Sequence, residues 1–307
     1  MNKRQRQVQQ SLLNSELEVI KDLEKSYKQA VKDINRVIAD LLARKDTENL
    51  QAIIYQVKYQ NALKSELEGF LSVLHTRNYT LIDNYLKDCY TNSHIGTLFD
   101  LQGQGIPLIL PLNQEQMISA ITLNSKLSAP LYNALGYNID FLKTNVRMEI
   151  SRGIAQSLSY QEIARNIKNT TNVDYNKSLR IAKTEGHRIQ NESAYNVQVE
   201  AIKKGANVVK QWDSTLDSRT RESHQKLDGE IVNVNEKFSN GLLYPGDSNG
   251  TASEVVNCRC ALLQRAKWAL SDEEFTKMNG KTNQLQHFES VDDYDKFKNI
   301  FWEVTNK

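Results

Sequence analysis

The stretch DSRTRESHQKLDG, residues 217 to 229, carries one His, two Arg and two Asp, and NCRC follows at 257 to 260 with Cys258 and Cys260. A histidine can serve as a general base or, as the neutral ring, as a metal ligand, and a nearby carboxylate can orient it. If Asp217 or Ser218 caps a helix over 218–227, with Gly229 just past its end, Asp217, Arg221, His224 and Asp228 fall at spacings of four, three and four. At those spacings they share one face. One reading makes this face reactive, with His224 oriented by Asp217 or Asp228 in a metal-dependent hydrolase or nuclease. The other makes it a buried polar network that locks the helix in place, because Leu216 and Leu227 are its only apolar anchors. The structural reading is preferred, so no catalytic residue is assigned and the chain is expected not to be an enzyme.

Cys258 and Cys260 in a strand would project to the same face, with Arg259 on the other. A disulfide between them would be strained, since extended residues two apart have a Cα separation of about 6.5 to 7 Å, at the edge of the permitted range. Together with His224 they could offer three ligands to zinc, with Asp217, Asp228 or Asp247 as a fourth. The common C-x(2 to 4)-C spacing and a second pair are both missing. The expectation is therefore no metal and no cofactor, with both thiols packing as small buried residues. Cys89 is assigned to the core. His75, His94 and His287 have no partner pattern and are read as surface or hydrogen-bonded structural residues, while His187 belongs to a basic helix. Arg219 and Arg221 are two apart, so in a helix they diverge and cannot clamp one phosphate.

Those residues need a scaffold, and 307 residues suffice for two domains with their own cores. From Leu13 to Leu41 the apolar residues alternate at three and four, the pattern of one long amphipathic helix. After RKDTEN a second run extends from Leu50 to Leu86, and two long helices joined so briefly are expected to pack as an antiparallel hairpin. Residues 91 to 113 contain three Gly and two Pro and are read as a loop or short strand. Helices resume at Gln114, with breaks near Pro130 and Gly136. Ser159 and Glu162 form a capping box, and Asp174 is expected to cap a further helix that stops at Gly205. Beyond it ANVVKQW, EIVNV and VVNCRCALL have strand composition and suggest a meander with one inserted helix. A last helix over Val291 to Val304 should dock through Tyr294, Phe297, Phe301 and Trp302. The fold class is thus α+β, mainly helical over the first two-thirds. It divides into a hairpin and loop (1–113), a helical domain (114–205), a small α+β module (206–270) and a helical tail (271–307).

Residues 1 to 142 hold 15 basic and 15 acidic groups, residues 143 to 226 hold 15 and 9, and residues 227 to 307 hold 9 and 13. The middle segment is the expected polyanion-facing surface. No run of about 18 apolar residues is present to span a bilayer, and the start, MNKRQRQVQQ, lacks the apolar stretch of a secretory signal. Three cysteines give no disulfide framework and suit a reducing compartment such as the cytoplasm.

RIAKTEGHRIQNESAYNVQ (180 to 198), Trp212, DSRTRESHQKLDG, Phe238, YPGD (244 to 247) and NCRC, in this order, resemble the phage Mu protein F-like family over roughly residues 140 to 265. The long N-terminal helices resemble the form carried by tailed phages of Gram-positive bacteria. The resemblance implies a minor capsid, or head morphogenesis, protein that enters the procapsid in few copies beside the portal protein and stays in the virion. It implies contacts with portal, with scaffolding and major capsid proteins, and with packaged double-stranded DNA, and none with a membrane. In that setting Lys3, Arg4, Arg6, Lys183, Arg188, Lys203 and Lys204 are candidates for neutralising phosphates without reading bases. Some relatives of the family are fused to toxin domains, and the 47 residues after NCRC are read as too few for one, so a plain structural protein is expected.

Overall fold

The computed structural model describes residues 1–42, 57–122, 131–156, 158–269 and 291–306. The connection at 44–49, the run Leu50 to Ile54, the break near Pro130 and His287 lie outside the described residues. Helix α1 spans Lys3–Leu42 and α2 spans Val57–Gly103, followed by α3 (Gln114–Thr122), α4 (Leu131–Ala155) and α5 (Tyr160–Lys203). The chain divides into two compact units: Met1–Glu16, Tyr85–Lys126 and Lys183–Lys307 form one, Leu17–Asn84 and Leu127–Ala182 the other. Because α1, α2 and α5 contribute to both, neither unit coincides with one of the four consecutive segments expected from sequence.

In the second unit, the apolar faces of four helices meet. Ile34 and Ile38 of α1, Leu67 and Leu71 of α2, Leu142, Val146 and Ile150 of α4, and Ile163 and Ile167 of α5 form one buried core. The capping box is present: the Ser159 N–H donates to Glu162 Oε2 at 2.8 Å, and the Glu162 N–H donates to Ser159 Oγ at 3.3 Å. Asp174, expected to cap a new helix, instead lies inside α5. Its carboxylate accepts a hydrogen bond from the buried Tyr27 hydroxyl at 2.7 Å, so a polar residue that resembles a helix start is a tertiary contact.

The first unit holds the functional residues. Residues 91 to 103, expected as loop or strand, are helical and continue α2. The one-sided apolar stripe is missing there because Ser93 to Asp100 are all buried, and a helix covered on every side shows no amphipathic period. The start of α1 runs antiparallel to this part of α2, as the hairpin expectation requires. A methyl group on Gly96 would meet Val8, and one on Gly103 would meet Arg4. The sheet has the order β2-β1-β3, both pairings antiparallel, with β1 at Val208–Asp213, β2 at Ile231–Asn233 and β3 at Ala261–Ala266. It is not a meander, since the first strand is the central one.

Two further expectations change in this unit. The helix predicted over 218–227 contracts to α6, Glu222–Lys226, because the Asp217 carboxylate accepts the Arg219 N–H at 2.9 Å and holds a local turn. The expected strand 255–263 divides into a short helix, α7 (Ala252–Val255), an irregular stretch with both cysteines, and β3. The final helix α8 (Tyr294–Thr305) is capped by Asp293, which accepts the Lys296 N–H at 2.9 Å. Tyr294 and Phe297 are buried against Phe99 and Phe301 against His94, whereas Trp302 is exposed.

Gly96 offers a direct test of the helix contact. An Ala in a helix ordinarily gains about 1 kcal/mol over Gly, but here its Cβ would collide with Val8 Cγ1, on a β-branched side chain with little freedom. Gly96→Ala should therefore destabilise, by about 1–3 kcal/mol, measured by urea unfolding.

Candidate functional site

Strand β1 delivers Trp212, fully buried, with its ring edge-on to His224 at 5.3 Å and to Phe238 at 5.1 Å. Its indole Nε1–H donates to Ser214 Oγ at 3.1 Å, and that hydroxyl donates to the His224 carbonyl at 2.6 Å. His224 is thus held at both ring face and backbone. Asp228 does not touch it: its Oδ1 accepts the Ser214 N–H at 2.8 Å. Asp217 accepts two hydrogen bonds from Arg259 at 2.6 Å each, and this fork holds its carboxyl well below the usual range. Arg221 donates to the Val256 carbonyl at 2.5 Å. The four residues predicted to share one helical face therefore each engage a different partner, since Asp217 and Arg221 precede the helix.

His224 itself meets other groups. Its Nε2 lies 2.8 Å from Glu254 Oε2, and its Nδ1 lies 3.3 Å from Cys260 Sγ and 3.6 Å from Cys258 Sγ. Burial works against the charged imidazole, but Cys260 and Glu254 together outweigh it and raise the His224 pKa. A hydrogen bond from the Cys258 thiol, opposed by burial and aided by His224 and Ser214, brings the Cys260 thiol below its ordinary value. The donating Cys258 is pushed up correspondingly. Both thiols are buried, and they reach the same ring nitrogen without lying in a strand.

Helix α5 fixes this irregular stretch. Asn191 Oδ1 accepts the Leu262 N–H at 2.8 Å while its Nδ2 donates to the Cys260 carbonyl at 3.0 Å. Thr184 Oγ1 accepts the N–H of Asn257, which adopts the left-handed conformation at φ 56°. Between them lies Arg188, with no exposed surface. It donates to Glu185 at 2.9 Å, to Glu192 at 2.6 Å and to the Ala120 carbonyl at 2.6 Å. The YPGD turn covers the same helix, and a Cβ on Gly246 (φ 84°) would lie 3.2 Å from Arg188 Cα.

Arg188 is therefore not available to DNA. Its carboxylates sit three residues before and four after it, so the charge that looked superficial is neutralised inside. Arg4 is likewise buried, donating to the Phe99 carbonyl and to Asp292 and lying 4.5 Å over the Phe99 ring. Lys210, also in the basic middle segment, is buried and donates to the Leu243 carbonyl at 2.7 Å; burial lowers its pKa to about 8. Lys3, Arg6, Lys203 and Lys204 are exposed, Lys203 beside Glu200 at 2.7 Å; Lys183 pairs with Glu16 at 3.3 Å. His94 is structural, its Nε2 bonded to the Leu110 carbonyl, and Cys89 is core. Sequence reasoning missed Glu254, Ser214 and Asn191. Glu254, four residues before Cys258, gave no pattern that distinguishes it from any exposed acid.

Residues 144–263 match the family described as phage Mu protein F like protein. The chain is also 28% identical over 263 residues to the minor head protein GP7 of Bacillus phage SPP1, covering 79% of this chain and 80% of that one. Residues 144–263 are therefore a region similar to phage Mu protein F. This Mu F-like region contains every motif of the cluster just described: Ala194, Trp212, Leu227, Phe238, Tyr244, Cys258 and Cys260 pack together. A further relative, 29% identical over 305 residues, is the NAD(+)--arginine ADP-ribosyltransferase EFV of Enterococcus faecalis. The match takes in 96% of this chain, which spans only 60% of that protein's length. No solved structure matches the chain.

The clamp on α5 makes a measurable prediction within the Mu F-like region. Arg188→Met leaves two buried carboxylates without their cation and should cost about 3–5 kcal/mol in unfolding free energy. Asn191→Ala strands the Leu262 N–H and the Cys260 carbonyl, at about 1–3 kcal/mol for each group. Chemical denaturation of both variants checks the pair.

Proposed function

We propose that the chain is a minor head protein of a tailed phage, incorporated in few copies beside the portal during procapsid assembly and held in the virion against packaged double-stranded DNA. Its working partners on this reading are the portal protein, then scaffolding and major capsid proteins, met in the host cytoplasm. What supports it most is the match to GP7, which takes in about four-fifths of both chains rather than a shared fragment. Among the described residues, no helix is long and apolar enough to cross a membrane.

We read the chain as non-enzymatic. The hydrolase alternative read from sequence has Asp217 or Asp228 orient His224, and both are committed elsewhere, to Arg259 and to the Ser214 N–H; the carboxylate that faces the ring is Glu254. The activity in the EFV relative's name belongs to a longer protein. DNA contact rests on the exposed cations Lys3, Arg6, Lys203 and Lys204, with Lys183 at the edge of the set. Such contact is electrostatic, so it is blind to sequence and weakens as counterions compete.

Purified protein should shift unrelated DNA duplexes alike, with affinity falling steeply as salt rises. Replacing Lys203 and Lys204 with Ala should reduce the slope of log affinity against log salt by about 2. The absence of any shift at low salt would remove the DNA role. Co-expression with the portal protein should yield a complex that survives size-exclusion chromatography, and separate elution of the two would remove the portal role.

A further inference from the structure

The geometry points to a zinc site: we propose that His224 Nδ1, Cys258 Sγ and Cys260 Sγ ligate one Zn2+ ion, tying α6 to the stretch between α7 and β3. This goes beyond the head-protein reading and does not depend on it. The three donor atoms all lie within 4.8 Å of one another. A tetrahedral ion with Zn–S of about 2.3 Å and Zn–N of about 2.0 Å requires S···N edges of about 3.5 Å. The two observed edges are 3.3 and 3.6 Å. Both S···N edges of the ligand triangle are therefore already close to what such a site requires.

Three independent features favour a metal over ordinary packing. Glu254 accepts from or faces the far ring nitrogen of His224 at 2.8 Å, the carboxylate–histidine pairing that fixes the tautomer leaving Nδ1 free to ligate. The His224 ring is oriented by Trp212, and its backbone by Ser214, before any ion arrives. The segment bearing both cysteines is irregular, yet Asn191 and Thr184 pin its backbone, which is how a ligand loop is held when no ladder holds it. Two thiolates and an imidazole are the soft-to-borderline donors that select zinc over magnesium or calcium.

Among the described residues three ligands are supplied. Cys258 also lines a cavity of about 780 Å³ with Asn257, Arg219 and Arg221, so solvent has a route to that side. The ion needs both sulfurs as thiolates and the His224 ring neutral at Nδ1, so whatever protons these three groups carry leave to solvent as it enters.

The test uses the full chain purified under reducing conditions, dialysed against Zn2+ or Co2+ and then against buffer. One zinc per chain is expected by elemental analysis, and the cobalt form should show thiolate-to-metal charge-transfer absorption. Cys258→Ser and Cys260→Ser should each lose the ion, while Glu254→Gln should keep it with affinity lower by about 10–100-fold. Wild-type protein that folds yet holds neither metal would overturn the proposal. So would cobalt binding without the charge-transfer band, a readout that decides the matter even if the cysteine variants fail to fold, or full affinity retained by both of them.

Discussion

The amide of Asn191 closes two hydrogen bonds onto one extended stretch, accepting from Leu262 and donating to Cys260. Buried backbone groups left unpaired cost as much as a lost hydrogen bond, so a segment too irregular to pair along a ladder must find side-chain partners. Helix α5 supplies them. It can present Thr184 and Asn191 inward only because Arg188, between them, is neutralised by Glu185 and Glu192 on its own helix. The buried guanidinium lets a polar helix face serve as packing surface, and the orientation of β3, of both thiols and hence of His224 follows from it.

A second polar junction fixes the other end of the same unit. Asp100 is fully buried and accepts from Asn2, Gln5, Gln104 and Gln264, which joins the start of α1, the end of α2 and β3 at one carboxylate. Burial raises its pKa while the four amides work in the opposite sense. The unit is thus braced by amide and charge pairing at least as much as by its apolar clusters. Polar networks of this kind contribute little net stability when satisfied and cost much when one member is removed. They specify one arrangement of the elements they join.

The His224 cluster belongs to that arrangement. Its ring is fixed by Trp212, its far nitrogen by Glu254, and its near nitrogen faces two sulfurs brought in by the segment that α5 clamps. Asp217 and Asp228, which sequence spacing placed beside it, instead stabilise the surrounding turns. Charge behaves the same way. The excess of basic residues in the middle segment is partly internal, because Arg188 and Lys210 are spent on buried partners.

The sequence by itself determined the long helices, the capping box at Ser159 and Glu162, the change to strands after Gly205 and the ordered motifs of the Mu F-like region, because each is encoded in neighbours a few residues apart. It could not show that residues 91 to 103 remain helical, since a helix buried on all sides carries no apolar stripe. Nor could it show that Asp174 lies mid-helix or that Arg188 points inward. Only the tertiary structure decided those, and only it brought Glu254 and both cysteines to His224. Spacing along a chain says which side chains share a face, whereas the partner that face meets is set by contacts between residues far apart in sequence.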